Sequence, residues 1–372
     1  MKEIYLDNAA TTAVNKTAME AMALYLDKEY GNPSSNHSLG LKARKTMENA
    51  RKEIAKEIFV KPEEIIFTST GTESNAIALL GVARASKKRK VIISSIEHSS
   101  IYENAQILRK EGFEVVEIPV SEKNGLDFSK LEKEIDSKTA LVSIMHANSE
   151  TGIINEIGRI GKICKEKNVL FHTDALQSFG KLRIQVKSLG IDLLSAASHK
   201  IGGPKGAAFL YIRNGIDIKP LYSGGGQEFG LRSGTQNVPA IVGFVVALKE
   251  YKKTDWTEVE KIRNVLEKRL EELGGRITGK RLNRLPTHIH VCFKKINGDE
   301  IVNYLSTKGI YCSTGSACDS NKKERRILDN LGISKEYAKG VVRFSLGAET
   351  TKKDIETTIK EVKNFLNRFK ND

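Results

Sequence analysis

The chain has 372 residues, 40% of them hydrophobic, and its 60 lysines and arginines against 46 acids leave a net charge of +14. No apolar run approaches the roughly 20 residues of a membrane span, and the opening Met1-Lys2-Glu3-Ile4-Tyr5-Leu6-Asp7 has neither a basic start nor a signal-type apolar core, so a cytoplasmic protein without membrane contact is expected. The positive charge is scattered beside glutamates, as in Lys42-Ala43-Arg44-Lys45-Thr46-Met47-Glu48, which is the pattern of a solvated surface and argues against a nucleic-acid groove.

Short apolar runs bounded by polar turns predict strands at 65–68, 91–94, 115–118, 140–144, 169–171, 193–196 and 207–211. Stretches of helical period, such as 101–110 and 157–166, separate most of them. Strand alternating with helix predicts an α/β fold with a mostly parallel seven-stranded sheet covered on both faces. After about residue 250 the pattern changes to a long amphipathic helix over 256–273, an apolar run at 288–293, a further segment at 301–308 and a closing helix over 352–369. A chain of this length fits one large domain with a lesser one, at roughly 150 residues per domain. The division expected is 15–250 for the large domain, and 1–14 with 251–372 for a smaller α+β domain.

Ligands of such sheets sit at the carboxyl ends of the strands, and the polar residues there form a chemical set. Ser195-Ala196-Ala197-Ser198-His199-Lys200 runs into Gly202-Gly203-Pro204-Lys205-Gly206, a strand delivering one lysine to a glycine-lined turn. Val169-Leu170-Phe171-His172-Thr173-Asp174 brings a carboxylate to the same edge. A lysine for covalent attachment, an acid to keep a ring nitrogen protonated and donors for a phosphate are what pyridoxal phosphate (PLP) requires. Ser69-Thr70-Gly71-Thr72-Glu73-Ser74-Asn75 follows a strand and opens a helix, a place for that phosphate as well as an ordinary capped start. His98 could stack on a planar ring, while Asn148 and Gln177 could bond a ring hydroxyl or a substrate carboxylate.

Of the four cysteines, Cys164, Cys292, Cys312 and Cys318, none forms a C-x-x-C pair, and reduced thiols are expected. Cys164 and Cys292 read as packing residues and Cys312 is left open. Cys318 lies between a run of small residues and the polar, basic Asp319-Ser320-Asn321-Lys322-Lys323-Glu324-Arg325-Arg326, surroundings of an exposed loop whose cations favour thiolate.

Seven ordered motifs, Leu6-Asp7-Asn8-Ala9-Ala10-Thr11-Thr12, Gly31-Asn32-Pro33-Ser34-Ser35, Thr70-Gly71-Thr72-Glu73-Ser74, His199-Lys200, Arg232-Ser233-Gly234-Thr235, Gly315-Ser316-Ala317-Cys318 and Arg343-Phe344-Ser345-Leu346-Gly347, make nearly the whole chain resemble the NifS/IscS-like cysteine desulfurases of the fold type I PLP enzymes, in the class V aminotransferase family. The resemblance implies that Lys200 holds PLP and Asp174 pairs with its ring nitrogen. It implies Gly71, Thr72, Ser198 and His199 at the phosphate, Gln177 at the ring hydroxyl and His98 stacked on the ring and moving protons. Thr235 would reach the partner's phosphate in a homodimer. Asn32, Asn148 and Arg343 would bind the carboxylate of L-cysteine, and Asn148 would also touch the cofactor. Cys318 would take the sulfur as a persulfide and pass it to an acceptor such as an iron–sulfur scaffold protein. No metal centre is expected, except that the persulfide could ligate an iron–sulfur cluster.

The sequence departs from the family pattern at three places: Ala197 stands where a hydroxyl is usual, Phe229 where an arginine is common, and Ala348-Glu349 where Arg-Phe is frequent. Selenocysteine lyase, another fold type I enzyme such as an aminotransferase, and a PLP-bound sulfur-relay scaffold are the alternatives that the motifs leave open.

Overall fold

The computed structural model describes residues 2–315 and 324–368. All seven predicted strands form one sheet: β1 (Ile65–Thr68), β2 (Lys90–Ser94), β3 (Glu114–Ile118), β4 (Thr139–Ser143), β5 (Leu170–Asp174), β6 (Leu193–Ala197) and β7 (Ala208–Ile212), in the spatial order β1-β7-β6-β5-β4-β2-β3. Pairings among β3, β2, β4, β5 and β6 are parallel, and β7 runs antiparallel to both neighbours. Every residue of β1, β2, β4, β6 and β7 is buried. Their continuous apolar runs, in place of an alternating pattern, follow from helices covering both faces. The fold is thus the expected α/β architecture.

Helix packing over the sheet depends on close approach. Asn15 caps the helix Lys16–Asp27 by accepting from Thr17 and Ala18. That helix lies against Val238–Tyr251, and a methyl group added at Gly243 would come within 2.6 Å of Met22 Sδ. Where the sequence predicts one helix after β1, the chain makes Gly71–Ala76, a π turn over Ile77–Gly81, and Val82–Ala85.

A second apolar cluster gathers Leu6, Leu266, Leu270, Ile301, Val342 and Phe344 beside an antiparallel sheet of β8 (Arg276–Ile277), β9 (His288–Cys292) and β10 (Val341–Ser345). The amino-terminal strand Ile4–Tyr5 pairs in parallel with Ile310–Tyr311 and so joins this cluster. Cys292, Val341 and the helix residues Ile327, Leu328 and Leu331 belong instead to the core under the large sheet. Among the described residues no helix is long and apolar enough to cross a membrane.

Candidate active site

The carboxyl ends of the parallel strands converge on one polar cluster. Asp174 is the last residue of β5, three residues beyond the apolar run that predicts the strand, and is 5% exposed. Its Oδ1 accepts from the Leu176 amide at 3.0 Å and its Oδ2 from Asn75 Nδ2 at 2.7 Å. The same Asn75 amide donates to Ser100 Oγ at 2.8 Å, and Ser100 Oγ lies 2.8 Å from His98 Nδ1. Because the Ser100 backbone N–H also donates to His98 Nδ1 at 3.1 Å, this nitrogen is an acceptor, and the neutral ring carries its proton on Nε2. One chain of bonds therefore runs from Asp174 through Asn75 and Ser100 to His98.

Lys200 ends a single 3-10 turn, Ser198–Lys200, directly after β6. Its Nζ donates to the carbonyls of Ala9 and Ala10 at 2.6 and 2.7 Å. Gln177 Nε2 donates to the same Ala9 carbonyl at 2.9 Å, while Gln177 Oε1 is buried with no hydrogen bond. The amino-terminal segment thus draws a lysine and an amide together, near a buried acceptor with no partner.

Gly71 opens the helix beyond β1, where the first-turn amides have no helical carbonyl before them. The Thr70 hydroxyl caps Glu73 N at 3.0 Å, and a methyl group at Gly71 would collide with Leu176 Cδ2 at 2.1 Å, so helix start and Asp174 turn are in contact. Glu73 organises the loop by accepting from the Ser69 amide, Tyr222 and Arg232, and Arg232 also donates to Ser69 Oγ at 2.5 Å. Burial pushes the Glu73 carboxyl upward, but these hydrogen bonds and the guanidinium outweigh it and hold its pKa below the usual value. His199 lies 3.3 Å from Thr11 Oγ1, and burial with the charges of Lys200 and Lys205 lowers its pKa to about 4, leaving it neutral.

Arg343 on β10 is 1% exposed. Nη2 donates to Asp7 Oδ1 at 2.6 Å and Nη1 to the Ser149 carbonyl at 3.2 Å, leaving one hydrogen on each terminal nitrogen for a carboxylate.

Other expected residues stand apart. Ser198 is fully buried and donates its hydroxyl among the carbonyls of Pro204 and Ala207, a bond within its own turn. Asn148 is also fully buried: Oδ1 accepts from Glu150 N, Thr151 N and Thr151 Oγ1, and Nδ2 donates to the Ile96 carbonyl and Met145 Sδ. Its amide builds the turn after β4. Asn32 is exposed and accepts from Ser34 N at 2.9 Å, and Thr72 and Thr235 are exposed. Cys318 lies outside the described residues. Cys164, Cys292 and Cys312 are free and buried, and burial raises their thiols, to about 12 and about 11 for the first two.

Asn75, Ser100, Asp7 and Arg232 are functional candidates that the sequence reading did not assign. Asn75, Asp7 and Arg232 sit inside quoted motifs; Ser100, two residues beyond His98, has no such signal. Among the described residues no group of three or more histidines, cysteines or acids is placed to hold a metal.

The residues present fit PLP on grounds of their own chemistry: a buried acid with fixed donors, a lysine at a neighbouring strand end, and a buried Gln177 oxygen whose missing donor a ring hydroxyl would supply. Fold and site together define a PLP-dependent enzyme of fold type I. The sequence pattern of the family described as "Aminotransferase class-V" matches residues 4–358. The chain is 41% identical to "Cysteine desulfurase IscS" of Dictyoglomus turgidum, over 99% of this chain and 96% of that one. A solved "NIFS-LIKE PROTEIN" superposes with a TM-score of 0.92 at 38% identity, covering 98% of this chain and all (100%) of the other. "SspA in complex with cysteine" superposes with a TM-score of 0.84 at 33% identity, over 94% and 100%. The chain belongs to the aminotransferase class-V family and, within it, to the cysteine desulfurases. The resemblance read from the motifs is borne out, and neither selenocysteine lyase nor a scaffold is favoured by these relatives.

Proposed function

We propose that this desulfurase takes L-cysteine as substrate and transfers its sulfur to Cys318, with Lys200, Asp174, Gln177, His98 and Arg343 as the working residues of the described site. The observation that carries this reading is the Asp174–Asn75–Ser100–His98 chain at the same sheet edge as a lysine and glutamine gathered on one carbonyl. PLP, when bound, supplies an electron sink for the charge that develops at the substrate α-carbon. Asp174 would pair with the ring nitrogen, since a carboxylate fixed by two donors is a strong partner for a cation. Gly71, Thr72 and His199 would hold the phosphate, the first two through amides of a helix start.

Arg343 binds the substrate carboxylate with the two hydrogens left on its terminal nitrogens, and Asp7 and Ser149 fix the plane of the guanidinium. Lys200 Nζ removes the α-proton, and His98 shuttles a proton at Nε2, releasing one only as it takes another up. The Cys318 thiolate attacks the substrate sulfur: an S–S bond forms, the C–S bond breaks, and a proton completes the alanine. Enzyme thiol and L-cysteine thus become enzyme persulfide and L-alanine with no outside oxidant.

Beyond the reaction, we read the chain as two domains with the boundaries expected from sequence, working as a homodimer. Exposed Leu39, Leu41, Tyr222 and Phe229, at 37%, 48%, 44% and 61%, support a further interface, as does exposed Thr235. A sulfur-acceptor protein, such as an iron–sulfur scaffold, completes the scheme. Mass spectrometry of the PLP-loaded protein after brief exposure to L-cysteine tests the residue assignment: one added sulfur on the Cys318 peptide is expected, and sulfur found only on another cysteine would overturn it.

A further inference from the structure

Strand β9 pairs with β10 so that His290 faces Arg343 across the ladder. Alternation along the strands places His288, His290 and Cys292 on one face with Arg343 and Ser345, while Ile289, Val291, Val342 and Phe344 fill the second core on the other. The first face is polar and closed to solvent, with His288, His290 and Arg343 exposed by 1%, 0% and 1%.

Three nitrogens on this face have no hydrogen-bond partner: Arg343 Nε, His290 Nε2 and His288 Nε2. The opposite ring nitrogens are satisfied, His290 Nδ1 by Thr278 Oγ1 and His288 Nδ1 by Thr287 Oγ1, each at 2.9 Å. Buried polar groups are nearly always bonded, so each of these nitrogens calls for a partner, and two of them belong to residues paired across the ladder. Burial pushes the pKa of His290 to about 3 and that of His288 well below normal, with Arg343 adding to both, so the rings are neutral and do not repel the guanidinium. Side chains directly opposite on antiparallel strands have Cβ atoms about 4.5–5.5 Å apart, so the His290 and Arg343 side chains leave the sheet side by side on this face. A buried water bonds such orphans and is retained because it does so.

We propose that a structural water on this face bridges Arg343 Nε and His290 Nε2, making His290 a positioning residue for the arginine that takes the substrate carboxylate. The second half of this statement rests on the role given to Arg343 above. With Asp7 on Nη2, Ser149 on Nη1 and the water on Nε, all three guanidinium nitrogens are held and only the carboxylate-binding hydrogens stay available.

Two measurements test it. A crystal structure of the PLP-bound, substrate-free enzyme should show a water within about 3.2 Å of both nitrogens; density that lacks it, or a direct bond between the two side chains, overturns the proposal. Steady-state kinetics compares His290→Asn, which keeps a polar group near Thr278 but deletes the atom at Nε2, with His290→Gln, which extends a polar group towards the Nε2 position. The asparagine variant should raise KM for L-cysteine about tenfold with kcat nearly unchanged, and the glutamine variant should restore most of it. A purely structural role through Thr278 gives the reverse ranking and sinks the positioning role. Melting temperatures taken alongside show whether either variant is merely unfolded. Absence of alanine production by the wild type would count against the desulfurase reading, and the density would then decide the water site by itself.

Discussion

Asp174 shows how much of the chemistry rests on single contacts. A carboxylate bonded to Asn75 and Leu176 is kept in one orientation, and hydrogen bonds to charged groups contribute about 1.5–3 kcal/mol. Asp174→Asn should therefore lower kcat/KM for L-cysteine by about 10- to 150-fold, read from alanine formation; an unchanged value would remove Asp174 from the site. Glu97 offers a pH test. Burial, opposed by its bonds from Ser94 and Met145, raises its carboxyl from 4.5 to about 8. The folded protein keeps a proton there that the unfolded chain releases, so this group's stability is full below pH 4.5 and is lost as pH rises to about 8. The slope is at most about 1.4 kcal/mol per pH unit. Glu97→Gln should raise the melting temperature above that of wild type at pH 9 and match it near pH 4.5; a constant offset would contradict the buried, protonated carboxyl. At this scale the sequence was readable where a strand ends in a polar group, as at Asp174 and Lys200. It could not show that the Ser198 and Asn148 side chains turn inward, because the direction of a turn is set by the carbonyls it finds. Nor could it show the Asp7–Arg343 pair, whose partners are brought together only by the joining of the chain's two ends.

Among the elements, most of the seven strands were legible because strands covered on both faces read as uninterrupted apolar runs. The π turn over Ile77–Gly81 was not, since one extra residue in a helical turn leaves the apolar content unchanged. Phe229 follows Glu228, which forms a two-pronged pair with buried Arg51 at 2.9 and 3.1 Å, and its ring lies 5.1 Å from that guanidinium. The departure from the common arginine is thus used to cover a buried cation, an arrangement that pattern alone does not reveal. Gly71→Ala tests the coupling of helix start and Asp174 turn, because its methyl group must displace Leu176. PLP affinity, titrated by absorbance on the cofactor-free protein, should fall about tenfold, a loss near 1.4 kcal/mol. Adding Leu176→Ala should recover it; no recovery would show that the glycine acts through something other than that clash.

At the scale of the whole molecule, the net charge of +14 is distributed through surface ion pairs such as Lys42–Glu29, Lys252–Glu57 and Lys249–Glu53, as scattered charge beside glutamates suggested. Exposed pairs of this kind contribute little each, and the fold rests on its cores. The amino terminus crosses from the second apolar cluster to the lysine at the end of β6, so residues 6–12 connect the arginine and the lysine ends of the site. That connection is what makes the strand-end residues and Arg343 one machine. Alanine formed from L-cysteine under reducing conditions, by PLP-loaded wild type beside Cys318→Ala, tests most directly the proposal of a desulfurase that passes sulfur to Cys318. Alanine and sulfide in equal amounts from the wild type, lost in the variant, are the expected result; alanine unchanged in the variant, or none from the wild type, would contradict it.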